Sequence, residues 1–337
     1  MVTIKDVARL AGVSPSTASR ALHDNSMISQ ATKERVRQAM EELHYSPNYS
    51  AQNLVKRQSN MVGIVLPVRE SQESLGNNPF FMQMIQGISG VCTDKDQMVS
   101  LATGRTEEEL LTNIKNLIRS GNIEKFIFLY SKADDPILKY IKGQEVTCVV
   151  VGESYDKDPS KIRFVDNDNV GASQDATSFL IDKGYTKIVY AYTDMDELVQ
   201  ASRYMGYSSI MQAQHFSTKT LSLSRVDDRL NRQELEAFLA KYAETEAFVA
   251  CDDIMAIRLQ RLFKSLGISS RRYAIISFNN SMVAELASPS LTSLEVFPYQ
   301  LGREAAEVLL NGEEAADRLL IPHKIIERDS TPKLADG

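Results

Sequence analysis

"GVSPSTASRAL", residues 12–22, puts a glycine, a proline and four small hydroxyl residues into eleven positions. Gly12 permits a tight turn. Ser14 is an N-cap, and Pro15 falls at the first helical position, where its missing N–H costs nothing. A helix therefore begins at Pro15. Upstream, Thr3 caps a helix over "IKDVARLA", with Ile4, Val7, Ala8 and Ala11 on one face. Downstream, "QATKERVRQAMEELHY" predicts a third helix from Ser29 or Gln30, with Val36, Met40 and Leu43 on one face and charges on the other; Pro47 stops it. Helix, glycine turn and capped helix make a helix-turn-helix, whose second helix enters the DNA major groove N-terminus first.

That geometry accounts for the short side chains. Hydroxyls at a closely approaching helix start donate to phosphate and contact base edges, and free N–H groups there favour phosphate. Arg20, one turn after Ser16, reaches a guanine as a bidentate donor. Val13, Ala18 and Leu22 face the first helix. Charge agrees: residues 1–60 carry eight Lys/Arg against five Asp/Glu, on a 337-residue chain of net charge −6. A basic head on an acidic body suits a polyanionic partner.

Beyond residue 60 the rhythm changes. "MVGIVLP", "MVSLA", "KFIFLY", "VTCVVVG", "KIVYAY", "EAFVAC" and "YAIISF" read as buried strands. Amphipathic stretches at 80–95, 106–119, 170–183, 229–242 and 253–266 alternate with them. About ten such strands exceed one sheet and imply two doubly wound parallel lobes, with a ligand cleft at the strands' C-terminal ends. No apolar run approaches the roughly 18–20 residues of a bilayer span, and no signal-peptide pattern opens the chain, so a cytoplasmic location without membrane attachment is expected. Three distant cysteines, Cys92, Cys148 and Cys251, form no CxxC and read as buried apolar residues. "DNDNVG" (166–171) fails as a calcium loop, because Val170 and Thr177 occupy ligand positions. The pairs Asp134–Asp135, Asp227–Asp228 and Asp252–Asp253 point apart on an extended backbone. Without a nucleophile, phosphate or metal motif, the expectation is no enzyme, no cofactor and no metal.

"TIKDVARLAGVSPSTASRAL", "ISQATKERVRQAMEELHYSPN" and "AQNLVKRQSNMVGIVLP", in this order, resemble the lactose/galactose-repressor family of bacterial transcription regulators. The resemblance runs along the whole chain. It implies an all-α helix-turn-helix head (1–46), a hinge helix and linker (47–60), and an α/β two-lobed body like a periplasmic binding protein, with two doubly wound parallel sheets. The first lobe is expected over 61–160 plus about 294–319, the second over 161–293 plus about 320–330. Carried onto this chain, Pro15, Ser16 and Arg20 hold base-reading positions; Thr17, Ser19, Thr32 and Tyr45 contact the backbone; and Thr3 and Ser14, the two caps, complete the DNA-facing set. Ala18 stands where the family commonly has a larger β-branched residue, so a neighbour such as Met27 is expected to fill the space. "NYSAQNLVKR" matches the hinge helix, with Asn48 as cap, Ala51 against the groove floor and Leu54 as the wedge that kinks the duplex.

In the body, sugars need polar groups for hydroxyls and an aromatic face. The chain has no Trp, so Phe80 and Phe81 are the aromatic candidates. The family's ligand positions fall on Arg203, Asp252, where Asn is common, and Asn279, where Asp is usual; Asp166 and Asp168 lie on the loop leading into the second lobe. "NPFF", "LATG", "VDNDN" and "HKIIER" resemble maltose-operon repressors of Gram-positive bacteria. The expectation is a homodimeric repressor of a pseudo-palindromic double-stranded operator, controlled by maltose or a maltodextrin. The alternatives are a catabolite-control regulator with a phosphocarrier protein as corepressor, and a sugar-binding transport protein.

Overall fold

Thr3 starts the first helix, α1 (Ile4–Ala11), by a local exchange: its N–H and its hydroxyl both donate to Asp6 Oδ2, at 2.9 and 2.7 Å. Asp6 also pairs with Arg9, and these bonds hold its carboxyl below the usual range. Gly12 ends α1 at φ +66°, a left-handed conformation that a side chain would strain. Ser14 then caps α2 (Pro15–Leu22), its Oγ accepting the Thr17 N–H at 3.1 Å. Ser29 caps α3 (Gln30–Glu42) through the Thr32 N–H at 3.3 Å. The three helices close a small core of Val7, Ala8, Ala11, Ala18, Ala21, Val36 and Ala39. The expected filler beside Ala18 is corrected: Met27 is 84% exposed, and Ile28 packs on this core instead. The Met27 N–H is tied into the preceding turn by Asn25 Oδ1 at 2.9 Å, and its side chain stands in solvent.

The computed structural model describes residues 2–22, 24–45, 59–68, 78–153, 162–312 and 317–334. Two units, Met1–Gln58 and Ser59–Gly337, are distinguished. The expected hinge residues Asn48, Ala51 and Leu54 lie outside the described residues.

Among the described residues, the second unit contains two six-stranded sheets of matching strand order. The first holds β1 (Met61–Val65), β2 (Met98–Ala102), β3 (Lys125–Phe128), β4 (Thr147–Val151), β5 (Ile162–Asn167) and β11 (Arg318–Ile321), in the order β11-β5-β4-β3-β1-β2, all parallel. The second holds β6 (Ile188–Tyr192), β7 (Thr220–Ser222), β8 (Ala247–Ala250), β9 (Ala274–Phe278), β10 (Thr292–Glu295) and β12 (Lys324–Ile326), in the order β12-β10-β9-β8-β6-β7, with β12 antiparallel. Parallel neighbours need long crossovers, which most often carry helices. These are α4 (Pro79–Asp94), α5 (Glu107–Arg119) and α6 (Pro136–Lys142) in the first lobe, and α7 (Asn169–Asp182), α8 (Leu198–Ala213), α9 (Asp228–Lys241), α10 (Asp253–Ser265) and α11 (Met282–Leu286) in the second. The returning α12 (Pro298–Leu310) packs closely on α4: a Cβ at Gly302 would fall 2.1 Å from the Met84 carbonyl oxygen. All three cysteines are buried and free.

The seven expected strands are all present. The lobe limits differ from expectation. β5 was placed in the second lobe, but it pairs with β4 of the first, so the chain crosses after Asn167. β10 pairs with β9, which moves the return beyond Glu295. β11 straddles the expected third limit and pairs whole with β5, so the last crossing follows Ile321. Backbone ladders decide these limits. Asn167 stands at their meeting point: its buried side-chain amide donates to the carbonyls of Val296 (3.1 Å) and Ile321 (3.0 Å), tying the three crossings together.

Candidate functional site

On the first unit, Pro15, Ser16, Ser19 and Arg20 are exposed on α2, while Thr17 and Thr32 are half-buried. Tyr45 is half-buried against the helical core. The hydroxyls are less free than the sequence implies. Ser14 Oγ lies 2.9 Å from Ser16 Oγ and 2.8 Å from Thr17 Oγ1, so both neighbours already belong to the cap. Ser19 and Arg20 are not part of that cluster. Asp24 draws Arg37 (2.8 Å) and Lys33 (3.6 Å) onto the α2–α3 turn.

On the second unit, the loops after β1, β3, β4, β5 and β6 converge on a cavity of about 260 Å³ between the lobes. It lies beyond the C-terminal strand ends, where the neighbours β1 and β3 send their connections to opposite sides, the position expected of a doubly wound sheet. Phe80, Phe81, Leu129, Val151, Val199 and Leu301 supply apolar wall. Phe80 meets Phe81 edge-on, centroids 5.4 Å apart. Asn78 positions this pair as N-cap of α4, its Oδ1 accepting the Phe80 N–H at 3.3 Å.

A buried polar chain crosses the cavity. Asn169 Nδ2 donates to Asp166 Oδ1 at 3.1 Å, and Asn169 Oδ1 accepts from Arg203 Nε at 2.9 Å. Arg203 Nη1 donates to the Cys251 carbonyl at 2.6 Å, and its guanidinium lies over the Phe278 ring, 4.1 Å from the centroid. Asp166 Oδ2 has no hydrogen-bond partner among the described residues. Burial pushes the Asp166 carboxyl up to about 7, with Glu153 adding repulsion and Arg203 and Arg318 opposing it. Nearby Asp135 caps α6 through the Ile137 N–H (2.8 Å) and is bonded by the Tyr130 hydroxyl. Its carboxyl is also raised, first by burial.

The cavity mouth is bridged by backbone. Lys132 and Glu197 form an isolated antiparallel bridge between lobes. Ala133 N–H donates to the Asp196 carbonyl (3.0 Å) and Leu198 N–H to the Ser131 carbonyl (3.3 Å). Lys132 is held by Glu107 at 2.7 Å, and Glu197 by Arg225 at 3.0 Å.

Of the expected ligand residues, Phe80, Phe81, Asp166 and Arg203 line the cavity, and Asp168, Asp252 and Asn279 are not in its lining. Asp168 spends its carboxylate capping α7 through the Gly171 N–H (2.9 Å), and Asp252 caps α10 through the Met255 N–H (2.7 Å). Asn279 sits at φ +100°, its N–H bonded to the Leu294 carbonyl. Of the adjacent acid pairs, Asp134–Asp135 does point apart: Asp134 is 93% exposed, whereas Asp135 is buried. Sequence reasoning missed Glu107, Asp135, Asn169, Asp194 and Glu197, which come from separate loops and meet only in three dimensions. Among the described residues, no group of His, Cys, Asp or Glu is placed to hold a metal, and no helix is long and apolar enough to cross a membrane.

Residues 3–48 match the family model of bacterial regulatory proteins, lacI family, and residues 177–331 match that of a periplasmic binding protein-like domain. The HTH-type transcriptional regulator MalR of Streptococcus pneumoniae is 32% identical over 97% of this chain and 99% of its own length. The MalR of Staphylococcus xylosus is 30% identical, covering 100% of both chains. A solved complex of the transcriptional regulator CelR with cellobiose has a TM-score of 0.72 at 25% identity, over 98% of this chain and 100% of that one.

Proposed function

The chain belongs to the lacI family of bacterial regulatory proteins, and from that premise we propose that it is a cytoplasmic homodimeric repressor that releases a pseudo-palindromic operator when maltose or a maltodextrin fills the interlobe cavity. It is a transcriptional regulator, not an enzyme. The observation that carries the sugar reading is the buried chain Asp166–Asn169–Arg203 set in an apolar-walled cavity. Fixed donors and acceptors beside aromatic surface are what a ring bearing hydroxyls requires. The cavity's volume of about 260 Å³ lies near the small end of the roughly 300–1,000 Å³ range of small-ligand pockets. The two similar MalR regulators support maltose by their names.

On the head, we assign base reading to Arg20, with Ser19 a phosphate donor and Pro15 restricted to apolar contact, since it lacks a side-chain donor. Ser16 and Thr17 contribute through hydroxyls already organised by Ser14. Asn48, Ala51 and Leu54 are proposed as the operator-dependent hinge, with Leu54 the wedge.

The test is an operator selected from random duplexes, then titrated with glucose, maltose, maltotriose and cellobiose. Maltose or maltotriose should weaken operator binding, and glucose and cellobiose far less. If no sugar changes operator affinity, the proposal falls.

A further inference from the structure

We propose that the interlobe cavity is a charge filter: Asp135 and Asp166 make it accept uncharged polyhydroxylated ligands and reject their phosphorylated counterparts. The inference rests on the reading of this cavity as a sugar site and narrows the ligand class. Among the described residues, five carboxylates line the cavity against two cations, and both cations are committed. Lys132 is held by Glu107 at 2.7 Å. Arg203 spends Nε on Asn169 and Nη1 on the Cys251 carbonyl, with its face on Phe278. Glu197 is neutralised by Arg225. Asp135, Asp166 and Asp194 are left without a salt-bridge partner among the described residues.

Two of these three are deeply buried: Asp135 is 6% exposed and Asp166 5%. Asp166 Oδ2 is a buried acceptor with no protein donor among the described residues. A sugar hydroxyl satisfies it by donating. A phosphate monoester carries about −1.5 to −2 charges near pH 7 and presents acceptor oxygens. It offers Asp166 no donor and adds charge to a wall whose carboxyls burial already disfavours as anions. Like charges brought together in a water-poor site cost far more than at a surface.

Calorimetric titration of the full chain at pH 8, where the Asp166 carboxyl is ionised, tests this with maltose, maltose 6′-phosphate and 6′-O-methylmaltose, alongside glucose and glucose 6-phosphate. Maltose should bind at least about 100-fold more tightly than its phosphate. The methyl ether, which adds bulk without charge, should stay within about tenfold of maltose, and Asp135→Asn or Asp166→Asn should each shrink the maltose-to-phosphate ratio about tenfold. Equal or tighter binding of the phosphorylated sugars would overturn the filter and leave the sugar site standing. Rejection of the methyl ether as strong as that of the phosphate, or a ratio unchanged in both variants, would show that shape discriminates and overturn it too. Binding of neither class would overturn the sugar reading and the filter with it.

Discussion

Arg20 stands exposed one turn after Ser16 on α2, where a bidentate donor to a guanine adds about 1–3 kcal/mol of discrimination. Arg20→Ala should therefore weaken the selected operator by that amount and leave random duplex nearly unchanged, as read by competition binding. Equal losses on both DNAs would make Arg20 a backbone contact. Asp166 gives a pH signature instead. Burial raises its carboxyl to about 7, so the free protein holds a proton there at pH 6 and releases it by pH 8. A sugar hydroxyl donating to Oδ2 favours the carboxylate and lowers that pKa. Maltose affinity should accordingly rise about tenfold from pH 6 to 8 and then level off; Asp166→Asn should remove the slope, and a flat wild-type profile would take the ligand off Asp166. The sign for folding is opposite. A carboxyl raised from 3.8 toward 7 binds protons in the fold that the open chain does not, so its contribution is full in acid and fades as pH rises through that window. Resemblance marked Arg203 together with Asp252, and the loop into the second lobe marked Asp166 together with Asp168; Arg203 and Asp166 line the cavity, unlike Asp168 and Asp252. Those two differ only in where the carboxylate goes: into the Gly171 and Met255 N–H groups of their own helices, a local use that a ligand position does not reveal.

Elements with one clear period were legible. The core strands β1, β3, β4, β6, β8 and β9, and the amphipathic helices α4, α5, α7, α9 and α10, announce themselves because each has one environment per face. β7, β11 and β12 are three- or four-residue strands at sheet edges, too short for a pattern. α8 has no clean polar stripe to read, because its buried side carries Gln200, Ser202 and Arg203 beside Gly206, Tyr207 and Met211, while Met205 is exposed. Buried polar residues on a helix signal a site only after its neighbours are known. The mouth bridge is similarly invisible, being made by main-chain groups of the 131–133 and 196–198 segments. It is still testable by substitution. Asp134 has φ +53°, so Ala133 precedes a left-handed residue, the turn position that proline favours. Lys132 lies in a bridge, and the extended conformation there tolerates a following proline. Ala133→Pro should thus delete one interlobe hydrogen bond with little other change. The bond is worth about 0.5–1.5 kcal/mol, so bound maltose should dissociate about two- to tenfold faster in stopped-flow displacement. An unchanged rate would mean that the bridge does not hold the mouth.

At the scale of the whole molecule, the sugar and the DNA act on different units, and the chain between them runs through residues 46–58. Any influence of one ligand on the other is a coupling free energy, and it is reciprocal. The internal geometry of the second unit favours a concerted change: one buried amide, on Asn167, ties the three crossings at one side of the cavity, while the Lys132–Glu197 bridge joins the lobes at its mouth. Ligand that alters the bridge changes the lobe arrangement about those crossings. If saturating maltose weakens the operator by a factor within the usual range of about 5–150, saturating operator must weaken maltose by the same factor. Calorimetric maltose titrations with and without an operator duplex should return that equality. They should be run at protein concentrations where sedimentation shows two 37.7 kDa chains per duplex, because dissociation of a dimer would enter the cycle as a third equilibrium. A maltose affinity indifferent to operator would mean that maltose is not the effector. A stoichiometry of one chain per duplex would remove the two-fold symmetry that a palindromic site requires.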